Sequence, residues 1–189
     1  EKTVSGKLGV KDGVLAFTFP DFAVTVEEEK KQAADPKAAE EVKSELNEII
    51  GLSEVKDYVL SLEQNYIIQR LREARGMKAD VPTMHMIFTG NPGTGKTTIA
   101  RLVSRYLKAM GVLSGGQLIE VTRADLVGKY VGHTAPLTQQ VIRSALGGVL
   151  FIDEAYSLYR GADDSFGLEA IDTIVKGMED HREDLIVIL

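Results

Sequence analysis

The 189-residue sequence contains no cysteine, so disulfide bridges and thiolate-bound metal sites are excluded. No window reaches the ~20 apolar residues that a membrane-spanning helix needs. The amino-terminal run EKTVSGKLGV also has no apolar stretch of the kind that a signal peptide carries. These absences favour a cytoplasmic protein without a membrane partner. The net charge of −6 and the lack of a basic stripe argue against a dedicated nucleic-acid binder.

The first 35 residues differ from the rest of the chain. Short alternating runs at 14–19 and 22–26, with a Pro-Asp turn signal between them, predict β-strands. These strands are too few to bury a core alone, and a charged linker, EEEKKQAADPK, follows them. We therefore divide the chain into a β-rich segment of unassigned role, residues 1–35, and a larger unit, residues 36–189.

From residue 36 onward the pattern alternates between helix and strand. Asp35 followed by Pro36 is a helix start signal, and a long amphipathic helix runs from Ser53 to near Gly76. The segments that follow are predicted strands at 84–89, 117–122, 149–153 and 185–189, and predicted helices at 97–110, 134–146 and 168–179. Short apolar strands separated by amphipathic helices predict an α/β protein with a parallel sheet covered on both faces, a three-layer αβα fold.

The run GNPGTGKTT, residues 90–98, matches the phosphate-binding pattern G-x-x-x-x-G-K-[ST]. It lies between a predicted strand and a predicted helix, which is the context that this pattern requires. Gly93 and Gly95 allow the backbone to turn its N–H groups toward anionic oxygens. Lys96 can reach the β- and γ-phosphates, and Thr97 offers its hydroxyl to Mg²⁺. A glycine-rich turn without a ligand is the weaker alternative, so the sequence predicts a P-loop nucleoside triphosphatase.

An acid pair, Asp153 and Glu154, follows the apolar run VLFI, at the end of a strand where open α/β sheets bind their ligands. Asp153 is predicted to bind Mg²⁺ or its water shell, and Glu154 to act as the general base toward the attacking water. An isolated Asp-Glu pair is commonly a solvated turn, but downstream of a complete phosphate motif it indicates hydrolysis. The sequence contains no Asn-Lys-x-Asp motif, the familiar guanine-reading signal, which favours ATP over GTP.

The run GKYVGH, residues 128–133, places Tyr130 and Val131 between two glycines in a predicted loop. The apolar pair is either buried as a plug under the core or exposed for contact with a partner, with the two glycines acting as hinges. Lys129 and His133 flank the tyrosine, either as contacts to a substrate or a neighbouring subunit or as solvated loop residues.

Other polar residues are assigned no part in the chemistry. His85 is interpreted as a packed or edge histidine. Arg123 and Arg143 could contact phosphate or a neighbouring subunit, but they are interpreted as surface arginines because those are commoner. The acidic loop RGADDSFG, residues 160–167, is interpreted as a solvated turn that leads into a helix. A calcium site is the weaker alternative there, because the EF-hand spacing is absent.

The glycine-rich phosphate motif, the Asp-Glu pair and the upstream run IIGL, residues 49–52, together resemble the AAA+ ATPases. Within that family, three runs closely resemble the subgroup of stage V sporulation protein K and the red-type, CbbX-like rubisco activases: HMIFTGNPGTGKTTIARL, DLVGKYVGHTAP and GGVLFIDEAYSL. The resemblance covers residues 36–189 and includes the run IIGL, from which it implies that Ile50, Gly51 and Leu52 line the adenine pocket. The other nucleotide and metal contacts that it implies are Asn91, Pro92, Gly93, Thr94, Gly95, Lys96, Thr97, Thr98 and Asp153.

The resemblance also implies an assembly and a task. Members of the family form rings, typically homo-hexamers, that remodel protein substrates at a central pore, and Tyr130-Val131-Gly132 matches their pore loop. We therefore expect an ATPase module with Mg²⁺ as cofactor and Lys96 and Glu154 as catalytic residues, in a chaperone-like protein linked to sporulation or rubisco activation. Two alternatives stay open: a nucleic-acid-handling AAA+ ATPase, and a scaffold in which nucleotide only sets the assembly state.

The sequence ends at the predicted strand 185–189, where the family carries a sensor of the γ-phosphate. An arginine finger, a fifth strand and a helical lid follow in the family, so we expect this sequence to be a piece of a longer protein, with an incomplete sheet. The strand order of the family would place the strand 185–189 between the phosphate-loop strand and the Asp-Glu strand. We expect the isolated piece to bind ATP weakly and hydrolyse it slowly or not at all, because an arginine finger contributes ~10³–10⁵ in rate.

Overall fold

A computed structural model describes residues 7–11, 14–18, 34–49, 51, 53–77, 83–91 and 93–189. The chain divides into two compact units, residues 1–30 and residues 31–189. In the first unit, strand β1 (Lys7–Lys11) pairs antiparallel with strand β2 (Val14–Thr18). The strand predicted at 14–19 is confirmed and β1 was not predicted, whereas the strand predicted at 22–26 lies outside the described residues.

The larger unit begins with two helices, α1 (Pro36–Glu48) and α2 (Ser53–Ala74). The predicted start signal is confirmed, because the Asp35 carboxylate accepts backbone hydrogen bonds from Lys37 and Ala38 at 3.1 and 3.2 Å. The elements that follow are α3 (Lys96–Ala109), β3 (Leu118–Val121), α4 (Arg123–Leu126), α5 (Thr134–Ala145), β4 (Val149–Ile152), a 3₁₀ turn (Ala155–Leu158), α6 (Ser165–Asp180) and β5 (Ile186–Ile188). None of the helices in these described stretches is both long enough and apolar enough to cross a bilayer.

The sheet of the larger unit is parallel, with the strand order β3-β4-β5. The segment predicted as a strand at 84–89 lies on the far side of β5, where it forms a single parallel bridge between Met86 and Ile188. β5 therefore separates the phosphate-loop segment from β4, as the strand order predicted. On the amino-terminal side of this bridge, the Val187 N–H donates to the Nδ1 atom of His85 at 3.0 Å instead of to a backbone carbonyl, so the ladder stops there. On the other side, the Phe88 N–H donates to the Leu189 carbonyl at 2.7 Å.

His85 is thus an edge histidine that completes the sheet, in agreement with its interpretation from sequence. Its ring nitrogen accepts a hydrogen bond from a backbone amide, which requires the neutral imidazole at that atom. Burial also lowers the pKa of His85, which favours the same neutral form.

Two hydrophobic clusters cover the two faces of this sheet. Along β4, Val149 and Phe151 belong to the cluster under α1, α2 and α3, whereas Leu150 and Ile152 belong to the cluster under α5 and α6. Successive strand residues point to opposite faces, so a strand that is buried on both sides must be apolar throughout. The three-layer αβα arrangement that the alternating pattern predicted is confirmed.

Candidate functional site

The phosphate loop joins the Met86 segment to α3. Gly93 and Gly95 have positive φ angles of 78° and 86°. A Cβ atom at either position would have no neighbour within 4 Å, so the left-handed backbone, and not crowding, requires glycine there. Gly95 is also the N-cap of the 14-residue helix α3, whose first N–H groups are therefore available to an anion.

The Lys96 side chain folds back over this loop. Its Nζ atom donates hydrogen bonds to the Gly90 carbonyl at 2.8 Å and to the Asn91 carbonyl at 3.3 Å. The Thr94 hydroxyl donates to the same Asn91 carbonyl at 2.8 Å, and Thr98 is exposed on the first turn of α3. Phosphate oxygens are stronger acceptors for an ammonium group than neutral carbonyls are, so an arriving anion can draw Lys96 away from the loop. Pro92 lies outside the described residues.

The start of α3 touches the end of β3. The Thr97 hydroxyl lies 3.3 Å from an Oε1 atom of Glu120, which occupies the next-to-last position of that strand. Glu120 was not among the predicted site residues. The sequence pattern predicts that Glu120 lies near the end of a strand. It does not predict that Glu120 contacts Thr97, which lies on a helix 23 positions away.

The acid pair leaves the neighbouring strand β4 at the same edge of the sheet. The Asp153 N–H donates to the Val121 carbonyl at 2.8 Å, which fixes Asp153 beside the end of β3. Asp153 Oδ1 accepts from the Glu154 N–H at 3.0 Å. The hydroxyl of Thr97 and the carboxylate of Asp153 are hard oxygen donors, the type that Mg²⁺ prefers, so the residues present fit that ion.

Glu154 has a left-handed backbone, with φ 51° and ψ 43°. Among the residues described, it is the one non-glycine residue with a positive φ. Such a conformation costs about 1–2 kcal/mol and persists only where the surroundings impose it. The side chain is exposed, and the charge on Glu154 raises the pKa of Tyr156, so the phenol and the carboxylate lie close together.

A cavity of about 700 Å³ adjoins the phosphate loop. The first turns of α2 line one side through Val55 and Tyr58, and the loop lines the other through Thr94 and Lys96. Of the predicted adenine-pocket residues, Ile50 and Leu52 lie outside the described residues. Gly51 between them is exposed and has a φ of 80°.

The run at 128–133 is a surface loop. Tyr130 is 69% exposed and Val131 is 88% exposed, so the alternative of a buried plug is wrong. The His133 ring packs edge-on against Tyr130, with 5.5 Å between centroids. Gly132 has the left-handed backbone expected at a turn, with a φ of 79°.

Gly128, which was expected to act as a hinge, instead anchors the base of this loop. A Cβ atom there would lie 2.7 Å from the His133 Cβ and 2.9 Å from the Thr134 nitrogen. The Gly128 N–H also donates to the hydroxyl of the buried Thr134 at 3.1 Å. This close packing against the start of α5 argues against a hinge at Gly128.

Arg123 and Asp164 form an ion pair of 2.7 Å, with side chains that are only 15% and 14% exposed. Arg123 is thus not a surface arginine, and the interpretation of 160–167 as a merely solvated turn is wrong at Asp164. The carboxylate of Asp164 also caps α6 by accepting from the Gly167 N–H at 3.1 Å. The hydrogen bond from Arg123, followed by that from Gly167, holds the pKa of Asp164 below its ordinary value of 3.8.

The chain is similar to known proteins over most of its length. Residues 86–189, more than half of the sequence, match the family described as ATPase family associated with various cellular activities (AAA). Stage V sporulation protein K of Bacillus subtilis is 47% identical over 160 residues, which are 85% of this chain and 50% of that protein. Protein CbbX of Cereibacter sphaeroides is 50% identical over 153 residues, 80% of this chain and 50% of that protein.

A chloroplastic ribulose bisphosphate carboxylase/oxygenase activase of Cyanidioschyzon merolae is 52% identical over 143 residues, 75% of this chain and 47% of that protein. The chain spans about half the length of these relatives. A solved structure of the FIGL-1 AAA domain in complex with ADP is 23% identical to this chain, with a TM-score of 0.48. The match covers 73% of this chain and 45% of that chain. The chain belongs to the AAA family of ATPases, in the group of stage V sporulation protein K and CbbX.

Proposed function

We propose that this chain is the ATP-binding and ATP-hydrolysing module of a ring-forming, chaperone-like ATPase that remodels proteins, with residues 36–189 as part of its large AAA+ subdomain. One observation carries the proposal. The phosphate loop and the acid pair lie at the carboxyl edge of one parallel sheet, joined through β3 by the Thr97–Glu120 and Asp153–Val121 contacts. Open α/β sheets bind their ligands at this edge.

The nucleotide would lie with its phosphates against the loop and the N-terminus of α3. The residues proposed to contact it are Asn91, Pro92, Gly93, Thr94, Gly95, Lys96, Thr97 and Thr98. Lys96 would exchange the two loop carbonyls that it now contacts for oxygens of the β- and γ-phosphates. The cavity beside the loop would take the adenine. Ile50, Gly51 and Leu52, which precede α2 in the sequence, are the residues proposed to contact it.

Hydrolysis would use the acid pair. Thr97 and Asp153 would hold Mg²⁺, which, when bound with ATP, neutralises the negative charge that develops on the phosphate oxygens. Glu154 would take a proton from the attacking water while the oxygen of that water forms a bond to the γ-phosphorus. The bond from that phosphorus to the bridging oxygen breaks, so that ADP and inorganic phosphate are the products.

The exposed loop suggests how the energy of hydrolysis is used. Tyr130 and Val131 extend into solvent from a base that Gly128 anchors, so they can contact a polypeptide while the loop keeps its position. We propose that Tyr130-Val131-Gly132 is the pore loop of a homo-oligomeric ring, typically a hexamer, and that its substrate is a protein. The name of the Cyanidioschyzon merolae relative, an activase of ribulose bisphosphate carboxylase/oxygenase, supports a protein substrate.

The change Glu154→Gln in the full-length protein tests the proposal. We expect ATP binding and ring assembly to persist while hydrolysis falls by ~10²–10⁴, the usual contribution of a general base. Glu183→Gln, at an exposed glutamate in the turn before β5, is the matched control and should hydrolyse ATP normally. Undiminished hydrolysis in Glu154→Gln would overturn the assignment of the base. Remodelling that continues without hydrolysis would instead identify a nucleotide-dependent scaffold, and salt-dependent DNA binding would favour the nucleic-acid-handling alternative.

A further inference from the structure

We infer that Arg123 is a positioning residue for Glu154 and acts through the 3₁₀ turn Ala155–Leu158. The inference rests on the proposed function, because it takes Glu154 as the general base. Arg123 lies on a different element, α4, and is separated from the turn by more than 30 positions in the sequence. What connects them is a set of hydrogen bonds to the backbone directly after the acid pair.

The backbone of Glu154 needs support from outside the residue. Its left-handed φ of 51° is a conformation that non-glycine residues adopt only under constraint. Its own N–H donates to Asp153 Oδ1 at 3.0 Å, and its carbonyl accepts from the Ser157 N–H at 2.7 Å. Both bonds are internal to the turn, so they hold its shape but do not hold the turn in place.

The two ends of the turn are fixed by different means. At the start, the Asp153 N–H is bonded to the Val121 carbonyl of β3 at 2.8 Å. At the end, one guanidinium nitrogen of Arg123 donates to the carbonyls of Ser157 and Leu158 at 3.1 and 2.8 Å, and the Leu158 side chain is buried. Both ends of the segment that contains the left-handed Glu154 are therefore held by other elements.

Arg123 is itself held firmly. Its guanidinium contacts both carboxylate oxygens of Asp164, at 2.7 and 3.0 Å. Asp164 is fixed in turn as the N-cap of α6, and Gly167 leaves room for the arrangement. A Cβ atom at Gly167 would clash with the Leu158 carbonyl and lie 2.7 Å from the Arg123 nitrogen. One terminal nitrogen of the guanidinium contacts both carbonyls and one Asp164 oxygen, and the other contacts the second Asp164 oxygen. Lysine has a single donor nitrogen on a shorter side chain, so it cannot reproduce this two-nitrogen arrangement.

The test compares ATP turnover, ATP affinity and amide hydrogen exchange in variants of the full-length protein. In Arg123→Ala we expect kcat to fall at least ~10-fold, since small misplacements of a catalytic group cost up to ~10² in rate. The dissociation constant for ATP should change less than about twofold. The amides of Ser157 and Tyr159 should exchange faster, whereas those of β4 should not.

Three further variants separate positioning from general support of the fold. Arg123→Lys keeps the charge beside Asp164 but has one donor nitrogen on a shorter side chain, so it should hold the turn less firmly and its kcat should also fall. Asp164→Asn keeps the donation from Arg123 to the turn and should retain more activity than Arg123→Ala. Arg182→Ala, at an exposed arginine in the turn before β5, is the matched control and should behave as the unaltered protein. If Arg123→Ala does not fold, Arg123→Lys decides the question by the same measurements.

The inference is overturned if the Arg123 variants keep kcat within about twofold of the unaltered protein. It is also overturned if kcat falls only together with ATP affinity and with uniformly faster exchange that includes β4, since that is general destabilisation. Glu154→Gln is assayed alongside. If it keeps full hydrolysis, the proposed function fails; if it loses hydrolysis while the Arg123 variants do not, only the positioning role fails.

Discussion

The hydroxyl of Thr97 lies 3.3 Å from a carboxylate oxygen of Glu120. This contact joins the first turn of α3 to the end of β3, and Asp153 hydrogen-bonds to the residue after Glu120 in that strand. A third carboxylate therefore lies beside the hydroxyl and the acid proposed to hold Mg²⁺. Partners of metal ligands orient those ligands and typically contribute 10–100-fold to metal affinity or activity, an order-of-magnitude range.

We predict that Glu120→Ala weakens Mg²⁺-dependent ATP binding by about tenfold, because Thr97 loses the partner that orients its hydroxyl. Glu120→Gln keeps an oxygen that can accept from Thr97 and should lose less. Titration calorimetry of ATP with and without Mg²⁺ measures the effect, and binding without Mg²⁺ serves as the internal control. Equal weakening in both titrations would contradict the prediction, because it would place the defect in the phosphate loop and not on the metal side.

The layers of this fold could be predicted because they depend on repeating patterns, whereas the strand order was expected from the resemblance to the AAA+ family. Every residue of β4 is apolar, and the helices that flank it are amphipathic. This pattern predicts a parallel sheet that is buried on both faces. The ends of the helices were predicted less accurately. α6 begins at Ser165 and not at Leu168, because Asp164 supplies the cap one turn earlier than the apolar pattern begins.

Polar contacts between distant residues could not be predicted. Arg123 and Asp164 are 41 positions apart, and nothing in the residues around either one identifies the other. The phosphate motif, in contrast, is local, because its turn, its lysine and the following helix are consecutive in the sequence. The candidate site was therefore predicted in its continuous parts, and the residues that support it from other elements, Arg123 and Glu120, were missed.

The two glycines of the exposed loop should respond differently to alanine. In Gly128→Ala the new methyl group clashes with the His133 Cβ and with the backbone at the start of α5. These atoms do not move when a side chain rotates, so the substitution must destabilise the folded state. In Gly132→Ala the methyl group has free space, and the cost is limited to the positive φ, about 1–2 kcal/mol. We predict a larger loss of unfolding free energy in Gly128→Ala, as measured by urea denaturation. Equal losses would restore the interpretation of Gly128 as a hinge.

Tyr130 tests the proposed pore loop. In the full-length protein, Tyr130→Ala should leave the affinity for ATP unchanged, because this exposed side chain contacts His133 and lies outside the phosphate loop. Remodelling of the protein substrate should be lost, whereas Tyr130→Phe, which keeps the aromatic ring, should retain most of it. Substrate turnover measured beside ATP hydrolysis distinguishes the two functions. Normal remodelling by Tyr130→Ala would contradict the assignment of this loop.

Asp164 predicts a defined dependence of stability on pH. Its pKa is lower in the folded protein than its ordinary value of 3.8, first because Arg123 donates to it and then because the Gly167 N–H does. The stabilisation is therefore fully present above pH ~4 and is lost as the pH falls through the lowered pKa. Asp164→Asn removes the charge but keeps a residue that caps helices well.

We expect the unfolding free energy of the unaltered protein to exceed that of Asp164→Asn by a constant amount from about pH 5 to 7, and the difference to shrink below about pH 4. Urea denaturation of both proteins across this range measures it. Other carboxylates titrate in the same window, but they are common to both proteins and cancel in the difference. Asp163→Asn, at the exposed neighbouring aspartate, is the matched control and should show almost no difference. A difference that persists or grows toward pH 3 would contradict the depressed pKa, because a protonated Asp164 cannot pair with the charge of Arg123.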